Sequence, residues 1–85
     1  MQVEMLVPDT GLLSAKVCKF VSIYLEENKQ MLETLSVGSM MRTHRIFENE
    51  NERFECLFCY FKKGTFSLSR IEVFINGNYV ANVFD

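Results

Sequence analysis

The sequence predicts an α+β domain of order β-α-β-β-β-β, with one helix laid on a four- to five-stranded antiparallel sheet. Three observations carry that prediction. Apolar residues recur at spacings of three and four between positions 13 and 35, the spacing changes to two from position 40 onward, and turn signals cut the second region into four strands.

The opening "MQVEMLV" alternates, with Val3, Met5 and Val7 on one side and Gln2, Glu4 and Leu6 on the other, as a short half-buried strand does. Pro8 ends it. Asp9 or Thr10 then caps a helix whose apolar residues Leu13, Val17, Phe20, Val21, Tyr24, Met31 and Leu35 fall on one face. Within it "EENKQ" (26–30) is polar all round, a place for the helix to end, kink or project, and Gly38 offers the left-handed residue that closes it. Beyond residue 40 the breaks are "ENENE" (48–52), "KKG" (62–64) and "NGN" (76–78). Asn76-Gly77 suits a two-residue type I′ turn, which needs positive φ at both central positions. That loop pairs Phe74 with Tyr79 and Val73 with Val80. In "TFSLSRIEVFI" the parity of Phe66 and Leu68 differs from that of Ile71, Val73 and Ile75, so a bulge is expected near Ser69-Arg70.

Eighty-five residues make a single domain, 1–85. A chain of this length buries only roughly 60 to 65% of the surface its unfolded form exposes. The composition, 48% hydrophobic and 13% aromatic, supplies more apolar side chains than one small core easily hides. With net charge −2 the chain as a whole does not attract nucleic acid or an anionic membrane. No apolar run approaches the ~18 residues of a membrane span. Three cysteines, an odd number, and no secretory leader point to free thiols and a cytoplasmic setting.

Chemistry-bearing groups are sparse. Cys56 and Cys59 form a CxxC, but Leu57-Phe58 is a poor turn, and strand alternation sends the two sulfurs to opposite faces. Adding Cys18 and His44 reaches the count of a zinc site without its geometry, so neither metal nor cofactor is expected. His44 stands alone, and Glu48, Glu50 and Glu52 sit in a turn where water keeps them ordinary. Nothing assembles a nucleophile, a base and an orienting acid, so the chain reads as non-enzymatic.

The strand "FECLFCYF" (54–61) is apolar on both sides, and a single helix covers one. Either the sheet curls around the helix or the second face meets a partner, a homodimer mate or another protein. Phe58, Tyr60, Phe74 and Tyr79 are the expected anchors if their face is open, with Glu48, Glu50 and Glu52 steering towards a basic partner. The alternative is single-stranded RNA or DNA held by Arg42, Arg45, Lys62 and Lys63 beside the sheet aromatics. Acids in the same half nearly cancel those bases, which makes nucleic acid the second choice.

The element order resembles the cystatin and monellin type of fold, without the Gln-x-Val-x-Gly loop by which cystatins hold proteases. The short, motif-free sequence, its Met and Phe content and its acidic loop resemble the accessory proteins with which phages inhibit host machinery, anti-CRISPR proteins among them. That second resemblance implies an inhibitor that works by occlusion in a host cytoplasm.

Overall fold

The computed structural model describes residues 2–63 and 66–84, with the side chains at 63 and 66–68 outside the described set. Strands β1 (Gln2–Met5), β2 (Met40–Glu48), β3 (Arg53–Lys63), β4 (Phe66–Ile75) and β5 (Asn78–Phe84) follow the expected order, with helix α1 (Leu12–Thr34) after β1. They form one antiparallel sheet in the order β1-β5-β4-β3-β2. The last four strands are a meander. β1 closes the far side by pairing with β5, Val3 opposite Val83 and Met5 opposite Ala81. Four inter-strand gaps separate the two edges by about 19 Å, and a helix of 23 residues spans about 34 Å. α1 can therefore carry the chain from one edge of the sheet to the other while covering one face.

The N-cap of α1 is Gly11 and not Asp9 or Thr10; Asp9 supports the start from two residues earlier, its carboxylate accepting the N–H groups of Gly11 (2.8 Å) and Ser14 (3.3 Å). Gly11 has φ 86, a conformation that glycine adopts without strain. The Gly11 N–H is the main cause holding the Asp9 carboxyl below its usual range. The helix runs unbroken through "EENKQ", where the Asn28 amide donates to the Tyr24 carbonyl at 2.8 Å. Val17, Val21 and Tyr24 are buried, and Phe20, Leu25 and Leu32 pack beside them. Met31, expected in that stripe, is 51% exposed. Gly38 does not close the helix: α1 ends at Thr34 with Leu35 already extended, and Gly38 serves the turn into β2, donating to the Lys62 carbonyl at 2.6 Å.

The β4–β5 hairpin turns on Asn76 (φ 51) and Gly77 (φ 83), and Phe74 pairs with Tyr79 as expected. Val73, however, pairs with Ala81, because β5 carries an extra residue where the register shifts between Val73 and Phe74. Val80 and Ala81 are in consequence both buried. The bulge expected near Ser69-Arg70 does not occur: β3 and β4 pair without interruption from Phe54↔Ile75 to Lys63↔Phe66. The side chains of Phe66 and Leu68, which motivated that expectation, lie outside the described residues, as does the turn between β3 and β4.

The core is a single cluster between α1 and the sheet. Phe20 bridges Phe54 (ring centroids 4.4 Å apart) and Phe47 (5.0 Å), and Tyr24 lies on Phe58 at 5.4 Å. Burial pushes the Cys56 thiol from 9.0 to about 12 and the Tyr24 hydroxyl from 10.0 to about 12. Both groups are acids whose folded values are raised, so the unfolded chain loses its protons first. Stability is therefore complete below about pH 9, the thiol's unfolded value, and falls as pH rises towards 12. Each group contributes a slope of at most about 1.4 kcal/mol per pH unit inside its window. Urea midpoints followed in steps from pH 7 to pH 11 are expected to decline from near pH 9 in the parent. In Cys56→Ala the decline is expected to begin near pH 10, where Tyr24 takes over.

Candidate functional site

Strand alternation divides the sheet into two faces of different chemistry. Under α1, β3 contributes Phe54, Cys56, Phe58 and Tyr60, all buried, beside Ile71 and Val73 of β4 and Ala81 and Val83 of β5. On the other face β3 contributes Leu57, Cys59 and Phe61, half-buried among their neighbours, with no described element above them. The CxxC thiols are thereby placed on opposite faces, Cys56 buried and Cys59 half-buried. Among the described residues no three His, Cys, Asp or Glu side chains converge on a point.

The open face interleaves an apolar strip along β3 with charged side chains on the strands to either side. Cys59 stands opposite Arg42 on β2 and opposite Arg70 on β4, so a guanidinium flanks the thiol on each side. Together with Leu57, His44 and Glu72 these residues line a shallow trough of about 680 Å³. Phe74 and Tyr79 stack at 4.9 Å with their ring planes 22° apart. The Tyr79 hydroxyl donates to the Asn82 side chain, and the Asn82 amide donates to Glu4 at 3.3 Å. Arg70 lies 3.5 Å from Glu72, and the Tyr79 hydroxyl beside it is the main cause raising its pKa above the ordinary value. His44 and Glu55 form a close pair. Arg42 has no ion pair among the described residues.

The expected anchors do not share a face. Phe58 and Tyr60 are 2% and 8% exposed beneath α1 and cannot meet a partner from there, whereas Phe74 and Tyr79 do lie on the open face. The acidic loop is less free than its sequence suggests. Asn49 closes the turn by accepting the N–H groups of Asn51 (3.1 Å) and Glu52 (2.9 Å). Glu52 pairs with Lys16 at 3.0 Å and Glu48 with Arg53 at 3.6 Å, which leaves Glu50 without a partner among the described residues.

The basic residues are also divided. Arg42 faces outward; Arg45 lies on the helix side, bonded to Glu27 at 3.2 Å and stacked 4.4 Å over Phe47. Lys62 stands on the helix side beside Leu25, Leu32 and Tyr60, and the side chain of Lys63 lies outside the described residues. Leu57 and Arg70 are face residues that the anchor and nucleic-acid sets both omit. Their signal was parity: once Phe58 is buried, alternation sends Leu57 outward and the register brings Arg70 alongside Cys59.

No family model, curated protein or solved structure matches this chain. Fold and site define its class: an α+β domain with one sheet face covered by its helix and the other open. No helix among the described residues is long and apolar enough to cross a membrane.

Proposed function

We propose that this chain is a non-enzymatic binding domain that docks on a larger protein through the open face of its sheet, acting by occlusion. The observation that carries this reading is the composition of that face: Leu57, Cys59 and Phe61 form an apolar strip along β3, flanked by Arg42 and His44 on β2 and by Arg70 and Glu72 on β4, with the Phe74–Tyr79 stack beyond Glu55 and Glu72. Protein interfaces are carried by a few aromatic and aliphatic anchors, and the charged groups interleaved with them here would set partner choice and orientation. Single-stranded nucleic acid is less well supported, because Arg45 and Lys62 lie on the helix side and do not join Arg42 in one track.

The test is affinity capture from the native host's lysate with the parent, Leu57→Lys and Phe74→Ala. A protein partner retained through nuclease treatment, and weakened about thirtyfold or more by either substitution, is the expected result; that factor corresponds to the ~2 kcal/mol of a central anchor. Phosphate-dominated binding instead collapses between low and moderate salt and vanishes with nuclease, and that outcome would remove the docking proposal.

A further inference from the structure

We infer that the free edge of β2 pairs antiparallel with the β2 edge of a second copy of this chain, about a twofold axis at Arg45, joining two five-stranded sheets into one. The inference stands on the strand edge and does not rest on the docking face proposed above.

The argument begins with the backbone. β2 is nine residues long and is the terminal strand of the sheet. Two bonds just outside it fix the phase of its pairing with β3: the Lys62 N–H donates to the Ser39 carbonyl at 3.2 Å, and the Asn49 N–H donates to the Glu52 carbonyl at 3.0 Å. Both fit the register that opposes Met40 to Phe61 and Glu48 to Arg53. Residues 39 and 49 are bonded to β3, and bonded positions alternate along an antiparallel strand, so the odd-numbered residues between them bond inward as well. The N–H and C=O groups of Met40, Arg42, His44, Ile46 and Glu48 therefore point out of the sheet. No proline or bulge interrupts β2, and no described element lies along it. One outward group is already engaged, the Ile46 carbonyl accepting from Arg45 Nη1 at 2.9 Å, which leaves its second lone pair for a strand across the edge. An edge with its remaining groups unpaired is a template for another strand.

Charge selects the occupant and the register. Only registers that oppose even-numbered residues to even-numbered residues satisfy the outward groups of both edges. With the axis at Arg45, Arg42 faces Glu48 of the second copy and Glu48 faces its Arg42, which gives two opposite-charge pairs on bonded positions. His44 and Ile46 face each other between them. With the axis at His44, Arg42 faces Ile46 and Glu48 faces Met40, so Arg42 meets no acid across the edge and Glu48 keeps only Arg53 of its own chain. With the axis at Ile46, Arg42 is set against position 50, beyond the end of β2. The one like-charge meeting at the chosen axis, Arg45 with its symmetry mate, is relieved within each chain by Glu27 at 3.2 Å and by stacking over Phe47.

The helix supplies a second argument. Phe20 touches Phe47 and Glu27 bonds Arg45, so the side of α1 that carries them leans over β2. Ile23 and Met31 lie four residues before and after Glu27 on that side, and they are 40% and 51% exposed. A second copy across the edge brings its own Ile23 and Met31 towards them.

Sedimentation equilibrium from low to high micromolar concentration tests the inference on the full chain. The parent is expected at twice 9.9 kDa. Arg42→Glu and Glu48→Arg are each expected at the single-chain mass, with helical circular dichroism retained, and the double variant R42E/E48R is expected to recover the doubled mass. Amide hydrogen exchange on the unmutated protein reads the same contact without a substitution: Arg42, His44, Ile46 and Glu48 are expected to be protected along with their odd-numbered neighbours. A parent that stays at 9.9 kDa, a dimer that both single variants leave intact, a double variant that remains single, or fast exchange at the four even positions beside protected odd ones would each overturn it.

Discussion

Phe54→Ala is expected to lower the stability of the domain by about 3 to 5 kcal/mol, the range for removing a fully buried phenyl ring. Phe54 is 1% exposed, and its ring lies 4.4 Å from Phe20, which in turn rests on Phe47. It also sits between Phe47 and Ile75 on the flanking strands, so the vacated space is walled by backbone that is bonded on both sides and cannot close in. A domain of this length holds about 4 to 13 kcal/mol in all, so the loss removes roughly a quarter of it at the least and all of it at the extreme. The thermal midpoint is expected to fall by about 12 °C or more. Leu57→Ala is the matched control, three residues along the same strand but on the open face, and is expected to change stability by less than about 1 kcal/mol. Thermal and urea unfolding followed by far-ultraviolet circular dichroism measures both, at one fixed protein concentration because self-association shifts the midpoint by mass action. Equal losses in the two variants would mean that the faces of β3 are not differentiated as described.

That differentiation was only partly legible in the sequence. Periods of 3.6 and 2 placed the helix and the strands, and Asn76-Gly77 placed the last hairpin, because these signals are local and depend on one residue's backbone freedom or on side-chain alternation. Alternation also separated Cys56 from Cys59 correctly, but it does not say which side of a strand the helix will cover. Both sides of "FECLFCYF" are apolar, and the choice is made by the neighbours across the strand. Phe58 faces Ile71 and Thr43, with Val73 next to Ile71 on the same face, while Leu57 faces His44 and Glu72. Those neighbours were known by name but not by register. The place of β1 was illegible for the same reason, since its pairing with β5 joins residues some eighty positions apart. The register shift that buries Val80 and Ala81 together leaves no glycine or proline to announce it: the extra residue is Val80, a β-branched residue suited to a strand. Arg45 and Lys62 show how composition misleads, because a count of bases in the sheet half says nothing of the face each one occupies.

Removing two hydroxyl groups from beneath the helix is expected to raise stability. The hydroxyl of Tyr24 and the Oγ1 of Thr43 are both buried with no hydrogen-bond partner among the described residues. They lie in one neighbourhood: the Tyr24 ring rests on Phe58 at 5.4 Å, and Phe58 is the residue opposite Thr43 on the adjacent strand. Each has left water without a replacement bond, a loss of about 1 to 3 kcal/mol when a buried polar group is unsatisfied. Tyr24→Phe keeps the ring against Phe58 and deletes only the oxygen. Thr43→Val keeps the β-branched shape that suits a strand while replacing the hydroxyl with a methyl group. Each single substitution is expected to stabilise by about 1 kcal/mol, and the double variant by about 2 kcal/mol if the two hydroxyls act independently. The alkaline limb supplies a second reading of the same group, since Tyr24→Phe removes the decline between pH 10 and about 12 and leaves the thiol's decline from pH 9 in place. Urea midpoints at neutral pH decide the matter: a loss of 1 kcal/mol or more in Tyr24→Phe would show that the hydroxyl holds a water bridging it to a neighbour, because only a lost bond makes deletion of that oxygen destabilising. A gain would show that the covered face of this sheet trades stability for two polar atoms that its packing does not use, in a domain too short to hide them elsewhere.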